Sequence, residues 1–296
     1  MVWNPKVPAW YGSNIGQFLV PGNGSVFYVN SAANGALDAN DGLTPELAFL
    51  TIDYAIAQCS GTTHDYIFVI AHDDATETYP IEMDVNMVHL IGLESVARPT
   101  PRIRVDSDVD AIDLTADYCE IAGLSIDNAA DAYNNTLIDL SATASANHIH
   151  HNWIAWFFWG YNAMVLATNS DNNLIEHNMF GAHGWANIGI NIGGTCGRAV
   201  IRDNLFILNG YDTGVRVLQI SSVNHCVVEN NEFMVPDSAA GEAITVTGDT
   251  NLFTGNVVSS GKVALTFNPY RDIGDGVDNC WGLNHAGIAP TFPVTV

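Results

Sequence analysis

Apolar positions in the middle of the chain recur with a long and regular period. The phrases NHIHHNWI, NLIEHNMF, RAVIRDNLF, HCVVENNEF and NLFTGNVV align one beneath another. Each carries an apolar residue, two variable positions, an asparagine, one variable position and an apolar or aromatic residue. The anchor asparagines are Asn152, Asn178, Asn204, Asn231 and Asn256, separated by 26, 26, 27 and 25 residues. A period of this length marks a repeat architecture, in which each repeat is one coil that buries its apolar face only by stacking on its neighbours.

A second family of short apolar runs lies between the anchors: AIDLTA, LIDLSA, AMVLAT, IGINIG, VRVLQI, AITVTG and VALTFN. Leu114, Leu140, Leu166 and Ile192 are each 26 residues apart, so this family keeps the register of the anchors. Two strand families in phase predict parallel stacking of every strand on its copy in the next coil. With about 4.8 Å between strands, seven or more coils make a rod roughly 35 Å long. The columns Ile149, Ile175, Ile201, Val228, Phe253 and Phe180, Phe206, Phe233 then form continuous apolar stacks. Upstream, Gly92 and Gly123 take the anchor's place in longer coils.

The ends depart from the repeat. Residues 1–24 hold Pro5, Pro8 and Pro21 among Trp3, Trp10, Tyr11 and Phe18, which reads as an extended arm. Residues 25–65 contain the strand SVFYVNS and then TPELAFLTIDYAIAQC, where Thr44 as N-cap and Pro45 behind it predict a short helix capping the open end of the coils. The β-helical body is expected over 66–268. Residues 269–296 lose the repeat, turn Gly- and Pro-rich, and read as a C-terminal cap and tail that blocks end-to-end sheet growth.

Charge narrows the functions. The chain of 296 residues has 32 acidic against 9 basic side chains, a formal net charge of -23. Binding nucleic acid through its phosphates needs clustered Lys and Arg, so that class is excluded. No 18-residue apolar run spans a membrane and the N-terminus lacks a signal-peptide core. The five cysteines form no CxxC pair and read as buried free thiols.

The repeat, the corner asparagine and the phrase FYVNSAANGALDANDGLTPELAFLTIDYAI resemble right-handed parallel β-helix proteins of the pectate-lyase-like superfamily. The expected fold class is therefore all-β, a right-handed single-stranded parallel β-helix with a short N-terminal capping helix. Within that superfamily, DYIFVIAHDDATETYPIEMDVNMVHLIGLESVARPTPRI is similar to β-helix proteins encoded in the genomes of tailed bacteriophages. This second resemblance implies a virion protein, assembled in the host cytoplasm beside capsid or tail proteins.

Several columns carry candidate chemistry. Asparagine tolerates a left-handed backbone and its amide both donates and accepts, so the anchors read as a scaffold ladder. Two positions earlier, Glu176, Arg202 and Glu229 form an outward ladder of alternating sign. One position earlier, His151, His177 and Asp203 follow one another on successive coils. With Glu176 and Arg202 they are the candidates for metal binding or for general acid/base work on a glycan. Asp113 and Asp139 are stacked copies in the second family, a like-charge pair that a cation would relieve, and they are the candidate metal ligands. Seven residues after three consecutive anchors come Trp159, Trp185 and Tyr211, a row suited to a subunit interface, the core or a sugar platform. The acidic run DIGDGVDN lacks the spacing of an EF-hand.

The superfamily's lyases pair a basic side chain with calcium-bound carboxylates and its hydrolases use clustered aspartates; the Asp113 and Asp139 column continues as Val165 and Asn191 with no lysine nearby. The leading expectation is therefore a structural or adhesive virion protein: a capsid decoration, head fibre or tailspike-like β-helix. It would be a homotrimer that contacts capsid or tail proteins and a host-surface glycan, with no nucleic-acid or membrane partner. It requires no cofactor, and Ca²⁺ is the one candidate. The alternative is a polysaccharide lyase or glycoside hydrolase acting through His151, His177, Asp203, Glu176 and Arg202.

Overall fold

The computed structural model describes residues 24–93, 100–128, 135–141, 143–157, 162–183, 188–193, 196–208, 216–221, 223–235, 242–260, 270–273, 279–286, 289–290 and 294–295. Its elements are almost all short strands, and they stack in three sheets. The first sheet has ten strands, from Val26–Asn30 through His148–His150 to Cys280–Trp281. The second runs from Arg102–Val105 through Trp153–Phe157 to His285–Ala286, with Ala289–Pro290 added antiparallel. The third runs from Ile81–Met83 through Asn162–Leu166 to Val294–Thr295. One coil thus supplies one strand to each sheet, and strand pairs between coils are parallel. This is a parallel β-helix. Nine spacings of about 4.8 Å along the first sheet give a body roughly 43 Å long.

Each coil buries one alternate set of side chains. Ile149, Ile175, Ile201, Val228 and Phe253 follow one another in register and are fully buried. Phe180, Phe206 and Phe233 stack face to face at 4.7 and 4.8 Å. Because every inward residue rests on its own copy, the core is a set of columns, and each column extends as far as the register holds.

The anchors lie between the first- and second-sheet strands, so what reads as one strand family in sequence is two. Asn204 shows their role. Its Oδ1 accepts from the Asn178 backbone N–H (2.9 Å) and from Asn178 Nδ2 (3.1 Å). Its own Nδ2 donates to the Ile175 carbonyl (2.9 Å) and to Asn231 Oδ1 (3.0 Å). The ladder extends from Asn152 to Asn256 and gains a further rung at Asn284, beyond the point where the sequence repeat fades. A second column at the other end of the first sheet contains Asn147, Asn173, Asn251 and Asn279, with Cys119 and Cys226 in the same register.

Two expectations need correction. The left-handed residue at the corner is not the anchor but the one before it: His151, His177, Asp203 and Asn230 all have φ near 55°, and Gly123 and Gly255 near 69°. Accordingly Gly123 occupies the His151 column, and Leu124, whose N–H donates to Asn152 Oδ1 (3.0 Å), takes the anchor's place. A Cβ at Gly92 would lie 2.1 Å from the Gly123 carbonyl oxygen, so the two coils meet there backbone to backbone.

The capping helix is also shorter than its sequence pattern. Pro45–Leu47 is a single 3₁₀ turn capped by Thr44, and the α-helix is Ile52–Ala57, capped by Thr51. Phe49 breaks the pattern because its ring is buried against Phe27 (5.6 Å), which requires extended backbone bridged to Val29. The helix buries Ile52, Ala55 and Ile56, and the Glu77 carboxylate accepts from the Ile52 and Asp53 N–H groups (2.8 and 3.2 Å). His72 Nε2 donates to Glu77 Oε2 at 3.0 Å with both side chains buried. Burial opposes the charge on His72, yet its hydrogen bonds to Asp74 and Glu77 prevail and push its pKa up to about 9. No helix among the described residues is long and apolar enough to cross a membrane.

Adjacent residues separate the two corner roles. Asn204→Ala deletes four buried hydrogen bonds and is expected to lower unfolding free energy by about 4 kcal/mol, whereas Asp203→Gly, which only relaxes a left-handed position, should change it by under about 1 kcal/mol. Urea unfolding of both variants measures the difference, and equal costs would contradict the assignment.

Candidate functional site

Strand alternation decides what the first sheet shows to solvent. With Ile149 pointing inward, His148 and His150 both point outward. The His148 column runs through His89 and Glu120 and then turns apolar at Leu174, Val200 and Val227. The His150 column continues to Glu176, Arg202, Glu229 and Thr254. Six of the chain's ten histidines, His64, His89, His148, His150, His151 and His177, meet on this face.

Glu120 is the centre of the array. Its Oε1 lies 2.7 Å from His150 Nε2 and its Oε2 lies 2.6 Å from His89 Nδ1. His64 Nδ1 reaches His89 Nε2 at 2.9 Å, and Tyr66 stacks on the His89 ring at 4.3 Å. On the other side, His150 Nδ1 faces His151 Nδ1 at 2.7 Å, and the His151 ring tilts against His177 at 5.2 Å. His148 packs on His150 at 4.0 Å between ring centres and joins Glu176 Oε1 through Nε2 at 3.0 Å. Arg202 Nε closes the row on Glu176 Oε2 at 2.6 Å, with Glu229 at 4.0 Å beyond it.

Crowding sets the charges. Burial would raise the Glu120 carboxyl, but hydrogen bonds from His150 and His89 hold it well below the usual carboxylate range. Burial and the neighbouring His150 push His148 down, and burial with His150 and His177 pushes His151 down to about 4. Both imidazoles are therefore neutral at pH 7, the form that accepts a proton or ligates a metal. Burial likewise opposes the charge on Glu176, but the bonds from Arg202 and His148 lower its pKa.

The expected candidates are thus distributed along one face. Glu176 and Arg202 form the ladder that alternating charges imply, and His151 and His177 touch each other. Asp203 follows in the next coil, exposed at its left-handed corner. Glu120, His148 and His89 were not singled out in sequence, although the alternation in NHIHHN shows that His148 shares a face with His150. Glu120 has no comparable signal, because the longer early coil hides its register. Trp159, Trp185 and Tyr211 lie outside the described residues.

A second cluster lies on the third sheet. Asp113 and Asp139 are direct partners, Glu82 precedes them in the column, and Asp110 joins from the preceding corner. Carboxylate oxygens of Asp110, Asp113 and Asp139 lie within 4.8 Å of one another. One oxygen each of Asp113 and Asp139 is buried without a hydrogen-bond partner among the described residues. Burial first, and then repulsion from Asp110 and Asp113, push Asp139 up to about 6. An all-oxygen set of this kind suits a hard cation such as Ca²⁺.

No protein-family description matches the chain, and no curated protein matches it. Among solved structures it is similar to a tailspike point mutant of E. coli bacteriophage HK620 in complex with pentasaccharide, at 10% identity and a TM-score of 0.35. It is also similar to a double mutant of that tailspike in the same complex, at 12% identity and a TM-score of 0.32. Each match covers 74% of this chain and 43% of the tailspike, so the chain spans less than half the length of these proteins.

The acidic cluster yields a pH-dependent prediction. A carboxyl raised in the folded state contributes stability below its unfolded value, and this contribution is lost as pH rises through about 6 for Asp139. In chelator at pH 7.5, Asp139→Asn should stabilise the fold by about 1 kcal/mol after allowance for solvent screening. Thermal unfolding should show the gain shrinking to nothing below pH 4, and a destabilised variant at pH 7.5 would contradict the repulsion.

Proposed function

We propose that the chain is a structural and adhesive β-helix of a bacteriophage particle, associating side by side with two copies of itself. The observation that carries this reading is the outer face of the second sheet. Inward Ile154, Phe180 and Phe206 leave Trp153, Ala155, Met179, Gly181, Leu205 and Ile207 on the outer side over three successive coils, with no charge among them; Trp153 is exposed, Gly181, Leu205 and Ile207 are half-buried, and Ala155 and Met179 are covered by their neighbours. Exposed Met234 and Val257 extend the strip past Glu232. On a chain with a net charge of -23, a neutral apolar strip is where like copies meet with the least repulsion.

The bacteriophage setting is supported by the resemblance of residues 65–103 to phage-encoded β-helix proteins. A rod presenting side chains at a fixed pitch of about 4.8 Å also suits an extended, repeating glycan as the adhesive target. The particle's capsid or tail would supply the attachment point.

A second reading, a glycan-cleaving enzyme, is favoured by one observation: Asp139 holds its proton to about pH 6 beside Asp113 and Asp110. A carboxyl in that condition can serve as general acid while a neighbouring carboxylate serves as base.

Light scattering is expected to give three times the 31.8 kDa chain mass, falling to the monomer in a Trp153→Asp, Val257→Asp double variant of unchanged circular dichroism. Incubation with acidic and neutral polysaccharides should release no product. A wild-type monomer would overturn the association, and product release abolished by Asp139→Asn would establish the enzyme reading instead.

A further inference from the structure

The array around Glu120 contains a donor set that neither adhesion nor scaffold requires. Glu120, His148 and His150 each place one ligand atom within 4.8 Å of the other two. His150 is 6% exposed and the Glu120 side chain 17%, so two of the three donors are largely withdrawn from water.

The arrangement of their other polar atoms is the stronger observation. His148 gives Nε2 to Glu176 at 3.0 Å, which leaves Nδ1 unused. His150 has His151 Nδ1 at 2.7 Å from its own Nδ1, which leaves Nε2 to face Glu120 Oε1. Glu120 holds His89 on Oε2, which leaves Oε1 on the His150 side. Every prospective donor therefore has its second polar atom held by a side chain: a carboxylate for His148, an imidazole for His150 and an imidazole for Glu120. Metal-ligating histidines and carboxylates are oriented by such outer partners, which fix both tautomer and ring direction. Further support stands behind them, from Arg202 on Glu176 and from His64 on His89.

We propose that Glu120, His148 and His150 bind one divalent first-row transition ion, with Zn²⁺ as the fitting species and one coordination position open toward solvent. Two imidazole nitrogens and one carboxylate oxygen match the donors that zinc accepts at about 2.0–2.2 Å. Bonds of that length separate ligand atoms by roughly 3.3 Å, so Glu120 and His150 spread by about half an ångström from their 2.7 Å contact. Proton bookkeeping is simple. In the bound state His150 carries its one hydrogen on Nδ1 and donates it in a hydrogen bond to the Nδ1 lone pair of His151, whose own hydrogen sits on Nε2, and the ion takes His150 Nε2. The oxygen-only cluster at Asp113 and Asp139 is a different site with a preference for hard cations. The proposal stands independently of the adhesive reading.

The test uses the full chain, freed of metal by chelator and titrated with ZnCl₂, CoCl₂ or CaCl₂ under calorimetry. One Zn²⁺ per chain is expected, with no displacement by a tenfold excess of Ca²⁺. Affinity should fall at least 100-fold in His148→Gln with His150→Gln, and about 10–100-fold in Glu176→Gln or His89→Gln. Should the double variant fail to fold, Co²⁺ added to the wild-type chain decides the matter. Visible bands of histidine-ligated four- or five-coordinate cobalt, bleached by equimolar Zn²⁺, support the site. A featureless cobalt spectrum, or zinc affinity unchanged in a folded double variant, overturns the proposal.

Discussion

Everything in this fold depends on holding the coils in one register. A parallel stack of coils offers many near-equivalent alignments, and slippage of one strand by a single residue would turn every inward side chain out. The asparagine ladder removes that freedom. Each anchor bonds both to the next anchor and to the backbone of the coil before it, and each is at most 2% exposed. A buried amide deprived of such partners would cost several kcal/mol, so a slipped alignment is penalised at every corner at once. The second asparagine column pins the other end of the first sheet's strands.

Register on the inside dictates geography on the outside. Because the inward columns are fixed, outward residues from distant parts of the chain stand one strand spacing apart. Glu120, His150 and Glu176 become neighbours although 30 and 26 residues separate them. The result is a rod with chemically distinct faces: imidazole and carboxylate on the first sheet, apolar side chains on the second from Trp153 onward, past the Arg102–Asp127 ion pair of its first coils, and crowded aspartates on the third. Burial first, and then the crowding of Asp110 and Asp113, shows in the raised Asp139.

Much of this was legible in the sequence because a repeat repeats its evidence. The anchors, the Phe180 to Phe233 stack, the Glu176 to Glu229 ladder and the Asp113, Asp139 pair each follow from period and alternation alone. Legibility failed where the period changed. Coils of about 30 residues before Asn152 concealed that Gly123 aligns with His151, and with it the place of Glu120. It failed again where tertiary contact overrode local pattern, as when burial of Phe49 split the expected helix. The buried His72 and Glu77 pair left no sequence signal, because its partners come from a helix end and a loop that only the fold brings together.

Hydrogen–deuterium exchange on the intact chain addresses the central claim, that the ladder sets the stability of the stack. The backbone amides of Asn178, Asn204 and Asn231, each donating to the next anchor's Oδ1, should exchange only through global unfolding and rank with the most protected sites in the chain. Exchange at these amides through local opening, faster than at the neighbouring strand residues Ile175, Ile201 and Val228, would contradict it.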